Sequence, residues 1–172
     1  DPGVLGALLL NRVILQPGEA VYLGPGQLHA YLRGVGVEVM ANSDNVLRGG
    51  LTPKHVDVPE LMRVLEFTPL ADPTVRAVSA GREIPGEVDY PTPEPDFALS
   101  RIDLEPGSGT VTWRPDGPEV ILCTSGRVVV DEGVASESLG PGCAVWVPAS
   151  TPVVSLCAPA GGTVFRTRVG HV

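Results

Sequence analysis

Basic charge is what this sequence has least of. Twelve Lys and Arg stand against 20 Asp and Glu, giving a formal net charge of −8 and a pI near 4.8. A nucleic-acid surface normally carries a basic field. None is present globally, so nucleic acid is excluded as a partner class; the acidic excess favours solubility. Long apolar runs are also missing. The longest, Val4 to Leu10, is far short of the roughly 20 residues a spanning helix needs. No basic segment precedes it as in a secretory leader, so no membrane partner is expected. Cysteine is scarce: Cys123, Cys143 and Cys157 form an odd set without tight spacing. That argues against a disulfide framework or a zinc knuckle. All three lie in apolar strand patterns, which predicts buried free thiols, a reducing compartment and a cytoplasmic location. An initiating Met is absent too. The chain opens Asp1-Pro2-Gly3 and runs at once into apolar sequence, which we read as part of a longer polypeptide.

What the sequence has in plenty is Gly, 21 residues, and Pro, 18, with 43% hydrophobic and 19% charged residues among its 172. The balance is that of a globular chain with a real core. The turn-former density predicts short strands joined by tight turns, not helices. Asp1 to Gly6 reads as a helical turn, with Asp then Pro at the N-cap and first helical position. Strands are predicted at Leu8 to Leu15, Ala20 to Leu23, Leu28 to Leu32 and Val37 to Met40. Alternation puts His29 and Tyr31 on one face of the third. Ala41 to Thr52 reads as a structured loop braced by Asp44 and Asn45. Pro53 to Leu65 is the best helix candidate, with Thr52 as N-cap and a break allowed at Pro59.

The expected domains are 1–67, a Pro-rich linker or strap over 68–96, and a second strand-rich block over 97–172. The second block shows seven short strands at regular spacing, which implies a sandwich or barrel. Trp113 and Trp146 are expected in its core. The two blocks share a repeat. Pro17-Gly18-Glu19-Ala20-Val21-Tyr22-Leu23 lies over Pro141-Gly142-Cys143-Ala144-Val145-Trp146-Val147, and His29 falls where the copy holds Val153. The copy therefore has an apolar residue in place of an imidazole and reads as a barrel without metal.

The stretch from Leu8 to Leu65 goes further. L-L-L-N-R-V-I-L-Q-P-G-E-A-V-Y-L-G-P-G-Q-L-H-A-Y-L, followed by V-E-V-M-A-N-S-D-N-V-L-R-G-G-L-T-P-K-H-V-D-V, resembles the C-terminal half of type I mannose-6-phosphate isomerases. The second block resembles that family's last, non-catalytic barrel only loosely. The resemblance implies an all-β fold of cupin-type jelly roll barrels with a short helical segment. It also implies one zinc ion and interconversion of mannose 6-phosphate and fructose 6-phosphate. On this reading His29 is a zinc ligand, Arg48 is the active-site Arg, and Lys54, Glu38 and Tyr31 line the substrate pocket. The family's other three ligands, a Gln, a His and a Glu, belong to an N-terminal part missing from these 172 residues; His55 and His171 do not match them and read as surface residues. The chain alone is expected to be inactive.

The residue chemistry runs parallel to the resemblance. A neutral imidazole in a barrel wall needs partners for both nitrogens, and a metal would meet half of that demand. Aldose–ketose isomerisation builds negative charge on adjacent oxygens, which a fixed cation such as Arg48 stabilises. Gly49 and Gly50 would let the backbone bring that guanidinium inward. Lys54 beside a helix start suits a phosphate, and Glu38 between Val37 and Val39 reads as a buried carboxylate. The ordinary readings are a satisfied core His, a surface Arg and a solvated Lys. On those, the chain is a non-catalytic sugar-binding or regulatory cupin module, or a plain β-sandwich interaction domain.

Overall fold

All the buried residues among those described lie between Ile84 and Arg168. They were located in a computed structural model that describes residues 1, 3–43, 45–81 and 84–170. The expectations for Pro2, Asp44 and His171 lie outside the described residues. The chain separates into one unit of Asp1–Gly36 with Asn42–Val75 and a second of Val37–Ala41 with Arg76–Val172.

The first unit holds α1 (Gly3–Gly6), β1 (Glu19–Val21) and α2 (Val58–Val64), and β2 (Thr74–Arg76) pairs with β1 in a two-stranded sheet. Leu8–Leu15 and Leu28–Leu32, predicted as strands, are not strands, and neither is Val37–Met40 of the second unit. A strand exists through its ladder, and these segments find no ladder partner among the described residues. The helix also starts later than predicted. Asp57, not Thr52, is the N-cap, accepting the Glu60 N–H at 3.0 Å. Pro59 decides this: inside a helix begun at Pro53 it would lack an N–H and clash with the preceding turn, whereas in the first turn it costs nothing.

The second unit continues with β3 (Val78–Ser79), β4 (Glu87–Tyr90), β5 (Ala98–Leu104), β6 (Thr110–Trp113), β7 (Glu119–Gly126), β8 (Val128–Asp131), β9 (Ser136–Leu139), β10 (Ala144–Val147), β11 (Val154–Cys157) and β12 (Gly162–Arg168). They form a six-stranded sheet, β10-β7-β12-β5-β4-β3, and a four-stranded sheet, β6-β11-β8-β9. The pairings are antiparallel. The all-β jelly-roll expectation with a short helical segment holds. The Pro-rich stretch 68–96 supplies β2, β3 and β4, the last two within the larger sheet.

Alternation sets the core. Ile102, Ile121, Cys123, Val128, Val130, Val147, Val154, Leu156 and Val164 are buried to 1% exposure or less. Trp113 is buried among them, but Trp146 is 58% exposed. On β10 it is Val145 and Val147 that turn inward, so Trp146 takes the outer face. The thiols divide as well: Cys123 is buried, Cys157 half-buried and Cys143 exposed, all three free. The expectation of three buried thiols holds at Cys123 alone and fails most at Cys143, the last residue before β10.

At one end of this core the interior turns ionic. Arg166 Nε donates to Glu119 Oε2 at 2.8 Å and Nη1 to Glu87 Oε1 at 3.1 Å, while Nη2 pairs with Glu119 Oε1. Trp113 Nε1 donates to Glu119 Oε2 at 3.1 Å, and its ring lies 5.0 Å from the guanidinium carbon. Ser100 Oγ donates to Glu87 Oε1 at 2.7 Å. Burial acts to lower the Arg166 pKa, but the Glu119 hydrogen bond and charge, with Glu87, outweigh it and hold the guanidinium above its ordinary value. Beside it, Arg168 Nη2 donates to Asp89 Oδ1 at 2.9 Å.

Candidate functional site

Of the residues singled out in the sequence, His29 and Tyr31 lie on Gly24–Leu32 and Arg48 and Lys54 on 48–54, both stretches of the first unit, and Glu38 lies outside them. Gly24 N–H donates to Gln27 Oε1 at 2.8 Å, closing the Gly24-Pro25-Gly26 turn with a side chain. Gly26 has φ +77, and a Cβ there would meet the Val64 carbonyl oxygen at 2.7 Å. The Glu66 N–H in turn donates to the Gly26 carbonyl at 3.0 Å. The C-terminal end of α2 thus fixes the turn that leads into His29.

His29 is exposed, not turned into a barrel interior. The interior placement needs an opposing wall, and no buried residue of the first unit is there to form one. Its Nδ1 lies 3.0 Å from the Gln27 carbonyl oxygen. A carbonyl only accepts, so Nδ1 is the donor, and in the neutral ring Nε2 is then the nitrogen with the lone pair. A metal-ligating histidine makes the same kind of bond, donating its other ring N–H to a carbonyl oxygen. The His29 and Tyr31 rings meet edge to face with centroids 5.7 Å apart, so the two do share a face even though their segment is not a strand. Tyr31 is itself 72% exposed.

Arg48 is half-buried at the head of a strained turn. Leu51 has φ 55, the single positive φ outside glycine among the described residues. Such outliers persist only where surroundings enforce them. Here the enforcer is Asp1, whose Oδ2 accepts the Leu51 N–H at 2.7 Å while Oδ1 accepts the Gly3 N–H at 2.7 Å. Asp1 thus accepts the N–H of the first residue of α1 and also pins the Arg48 turn. Gly49 carries the second constraint: a Cβ built there would lie 2.4 Å from Leu28 Cδ1. The side chain next to His29 therefore packs on the backbone next to Arg48, and the two segments are neighbours.

Lys54 is exposed, and its N–H donates to Thr52 Oγ1 at 3.2 Å. It does not stand at a helix start, since α2 begins at Val58 and Asp57 occupies its cap. The helix contribution to a phosphate site at Lys54 is therefore withdrawn, and the ammonium remains. Glu38 is exposed, not a buried carboxylate, and belongs to the second unit. Asn45 is hydrogen-bonded to Ser43 two residues before it. His55 is exposed as expected.

The zinc expectation can be tested on the donors present. Among the described residues no group of three or more His, Cys, Asp or Glu is arranged to hold a metal ion. His29 fits as one ligand and does not make a site alone. Among the described residues no helix is long and apolar enough to cross a membrane.

The repeat persists in the backbone. Gly18 has φ 86 and the Glu19 N–H donates to the Gln16 carbonyl at 3.0 Å; Gly142 has φ 85 and the Cys143 N–H donates to the Gly140 carbonyl at 3.0 Å. The two Pro-Gly turns are the same turn. Val153, opposite number of His29, is 38% exposed, and the next residue, Val154, is the one that packs.

Comparison with known proteins agrees with the resemblance. No protein-family profile matches the chain. Mannose-6-phosphate isomerase of Escherichia coli K12 is 39% identical over 156 residues, 91% of this chain and 39% of the relative. Mannose-6-phosphate isomerase 1 of Arabidopsis thaliana is 37% identical over 153 residues, 89% of this chain and 35% of the relative. The chain is a relative of the mannose-6-phosphate isomerases. A solved mannose 6-phosphate isomerase of Salmonella typhimurium, bound to fructose 6-phosphate and zinc, superposes with a TM-score of 0.61 at 32% identity, over 77% of this chain and 32% of that one. The likeness to these isomerases supports the cupin reading of the jelly roll. The match extends beyond the Leu8 to Leu65 stretch that first carried it. The chain spans about 39% of the length of the E. coli relative.

Proposed function

We propose that this chain is the C-terminal part of a zinc-dependent aldose–ketose isomerase that interconverts mannose 6-phosphate and fructose 6-phosphate. The observation that carries the proposal is the 39% identity over 91% of the chain to such an isomerase, shared with a solved relative whose bound molecules are that sugar phosphate and that metal. The first unit supports it from its own side. Leu5, Leu8, Leu9, Ile14, Leu32 and Val35 are each at least 69% exposed, an apolar surface suited to cover by a preceding part of the same enzyme.

In the proposed enzyme His29 offers Nε2 to zinc, held in that tautomer by the Gln27 carbonyl, and a Gln, a His and a Glu upstream complete the set. Zinc, when bound, supplies Lewis-acid polarisation of the sugar carbonyl. Arg48 stabilises negative charge that develops on the substrate oxygens as a proton moves between adjacent carbons. Its turn is fixed before substrate arrives, by Asp1 and by the Leu28–Gly49 contact, so little reorganisation is left for the reaction. Lys54 meets the phosphate as a point charge, and Tyr31 borders His29 on the substrate side. Glu38 keeps its assignment as a substrate contact on the resemblance alone. The general base is not assigned to any residue here. Three free thiols suit the cytoplasm.

The test is isomerase turnover of the 172-residue chain beside that of the polypeptide extended upstream. The proposal expects negligible turnover in the first and robust turnover in the second. Turnover by the short chain alone would overturn the division of ligands, and inactivity of both would favour a non-catalytic sugar-binding module.

A further inference from the structure

The Pro-Gly turn that the two halves share ends, in the second, on a cysteine. The register Ala144↔Leu122 of β10 on β7, continued by one residue, sets Cys143 opposite Cys123. The backbone confirms it: the Cys123 N–H donates to the Cys143 carbonyl at 2.9 Å, and the Gly142 N–H to the Cys123 carbonyl at 2.9 Å. With Gly142 at φ +85, this is a bulge of the kind in which a left-handed Gly precedes the paired residue. Alternation keeps Cys143 on the side of Val145 and Val147, and Cys123 on the side of Ile121, so both thiols leave the same face of the sheet. Adjacent strands lie about 4.7–4.9 Å apart, and disulfides span roughly 4.4–6.8 Å between Cα atoms, so the pair stands within bridging reach.

The two thiols differ in access. Cys143 is exposed, whereas Cys123 is buried. Cys123 Sγ lies 3.4 Å from the Ser125 carbonyl oxygen and 3.8 Å from that of Gly126, to which its S–H donates. Burial first, and the neighbouring Cys143 as a lesser cause, push its pKa up, which keeps it a thiol until a partner disulfide is presented to it.

We propose that Cys123 and Cys143 are a thiol–disulfide pair across β7 and β10, oxidised by a small disulfide of the glutathione class that enters at Cys143. In the first step the Cys143 thiolate attacks one sulfur of the oxidant, forming a mixed disulfide and releasing one glutathione thiolate. In the second, Cys123 gives up its proton and its sulfur attacks Cys143 Sγ, releasing the second glutathione. Two protein thiols are oxidised, one oxidant disulfide is reduced to two thiols, and the Cys123 contacts to Ser125 and Gly126 are exchanged for a covalent tie of β10 to the sheet.

The test uses the 172-residue chain, its β-sheet content checked by circular dichroism. It is equilibrated in glutathione buffers from fully reduced to fully oxidised, alkylated, digested without reductant and mapped by mass spectrometry. The expected product joins the peptides of residues 123 and 143 with the loss of two hydrogens, while Cys157 is alkylated throughout. Cys143→Ser should abolish the link, and Cys157→Ser should leave it intact. The proposal is overturned if Cys143 stops as a glutathione adduct with Cys123 still a thiol. It is equally overturned if Cys143 joins a second chain, or if neither thiol changes across the range.

Discussion

Leu28 packs its Cδ1 against the backbone of Gly49, where a Cβ would lie 2.4 Å away. This contact ties the segment of His29 to the turn of Arg48. Gly49→Ala must therefore push Leu28 aside, and displacements of about 1 Å at a catalytic constellation cost on the order of 10²-fold. In the upstream-extended isomerase the expected loss in kcat is of that order, with folding retained by circular dichroism. Steady-state kinetics on Gly49→Ala checks it, and an unchanged kcat would show that the contact positions nothing.

Arg48 and Lys54 are given different parts, and kinetics can separate them. An interaction made mainly in the transition state lowers kcat, whereas one made equally in both states raises KM. Arg48→Ala should lower kcat by about 10²–10³-fold, the usual effect of removing one charge-stabilising donor. Lys54→Ala should act chiefly on KM for the phosphorylated sugar. Reversed effects would exchange the two assignments.

The ionic cluster of the second unit makes an unequal pair of predictions. Glu119 holds Arg166 through two nitrogens and also accepts from Trp113. Glu87 binds Ser100 and Arg166 through one oxygen and has no hydrogen-bond partner at the other among the described residues. Glu119→Ala strands a buried guanidinium and should cost roughly 3–5 kcal/mol. Glu87→Gln keeps the shape and one acceptor and should cost about 1 kcal/mol. Urea unfolding of both variants gives the ratio.

Asp57 caps α2 through the Glu60 N–H. Asp57→Ala should destabilise the helix by about 1 kcal/mol. Because the Glu66 N–H just beyond α2 holds the Gly26 carbonyl, faster amide exchange is expected at Glu66 as well as at Glu60. Hydrogen exchange on the variant reads both.

Legibility followed the ladders. Of the eight strands described from Ala98 onward, seven could be read, because each has its partner within the chain. The edge strand β9 could not, because Ser136-Glu137-Ser138-Leu139 has one apolar residue and only Leu139 is buried. The Pro-Gly turn repeat survives in detail at Gly18 and Gly142. Leu8–Leu15 and Leu28–Leu32 carry strand-like sequence but lack partner strands among the described residues, so their pattern did not become structure. The helix start was misread because Thr52-Pro53 imitates a cap, while Pro59 forbids the helix that cap would begin. The buried charges were missed for a different reason. Around Val164-Phe165-Arg166-Thr167-Arg168 alternation is inverted, with Arg166 and Arg168 inside and Phe165 half-exposed. Only the matching carboxylates, Glu87 and Asp89 on β4 and Glu119 on β7, make that parity sensible. At the candidate site the residue types pointed to His29 and Arg48. The positive φ of Leu51 and its pin on Asp1 had no sequence signal beyond an Asp at position 1.

The ligand role of His29 is what the isomerase reading depends on most directly, and metal content measures it. The polypeptide extended upstream should carry one zinc per chain by elemental analysis after gel filtration, and His29→Ala should bring that close to zero with the fold intact. Full zinc occupancy in the His29→Ala protein would contradict the account.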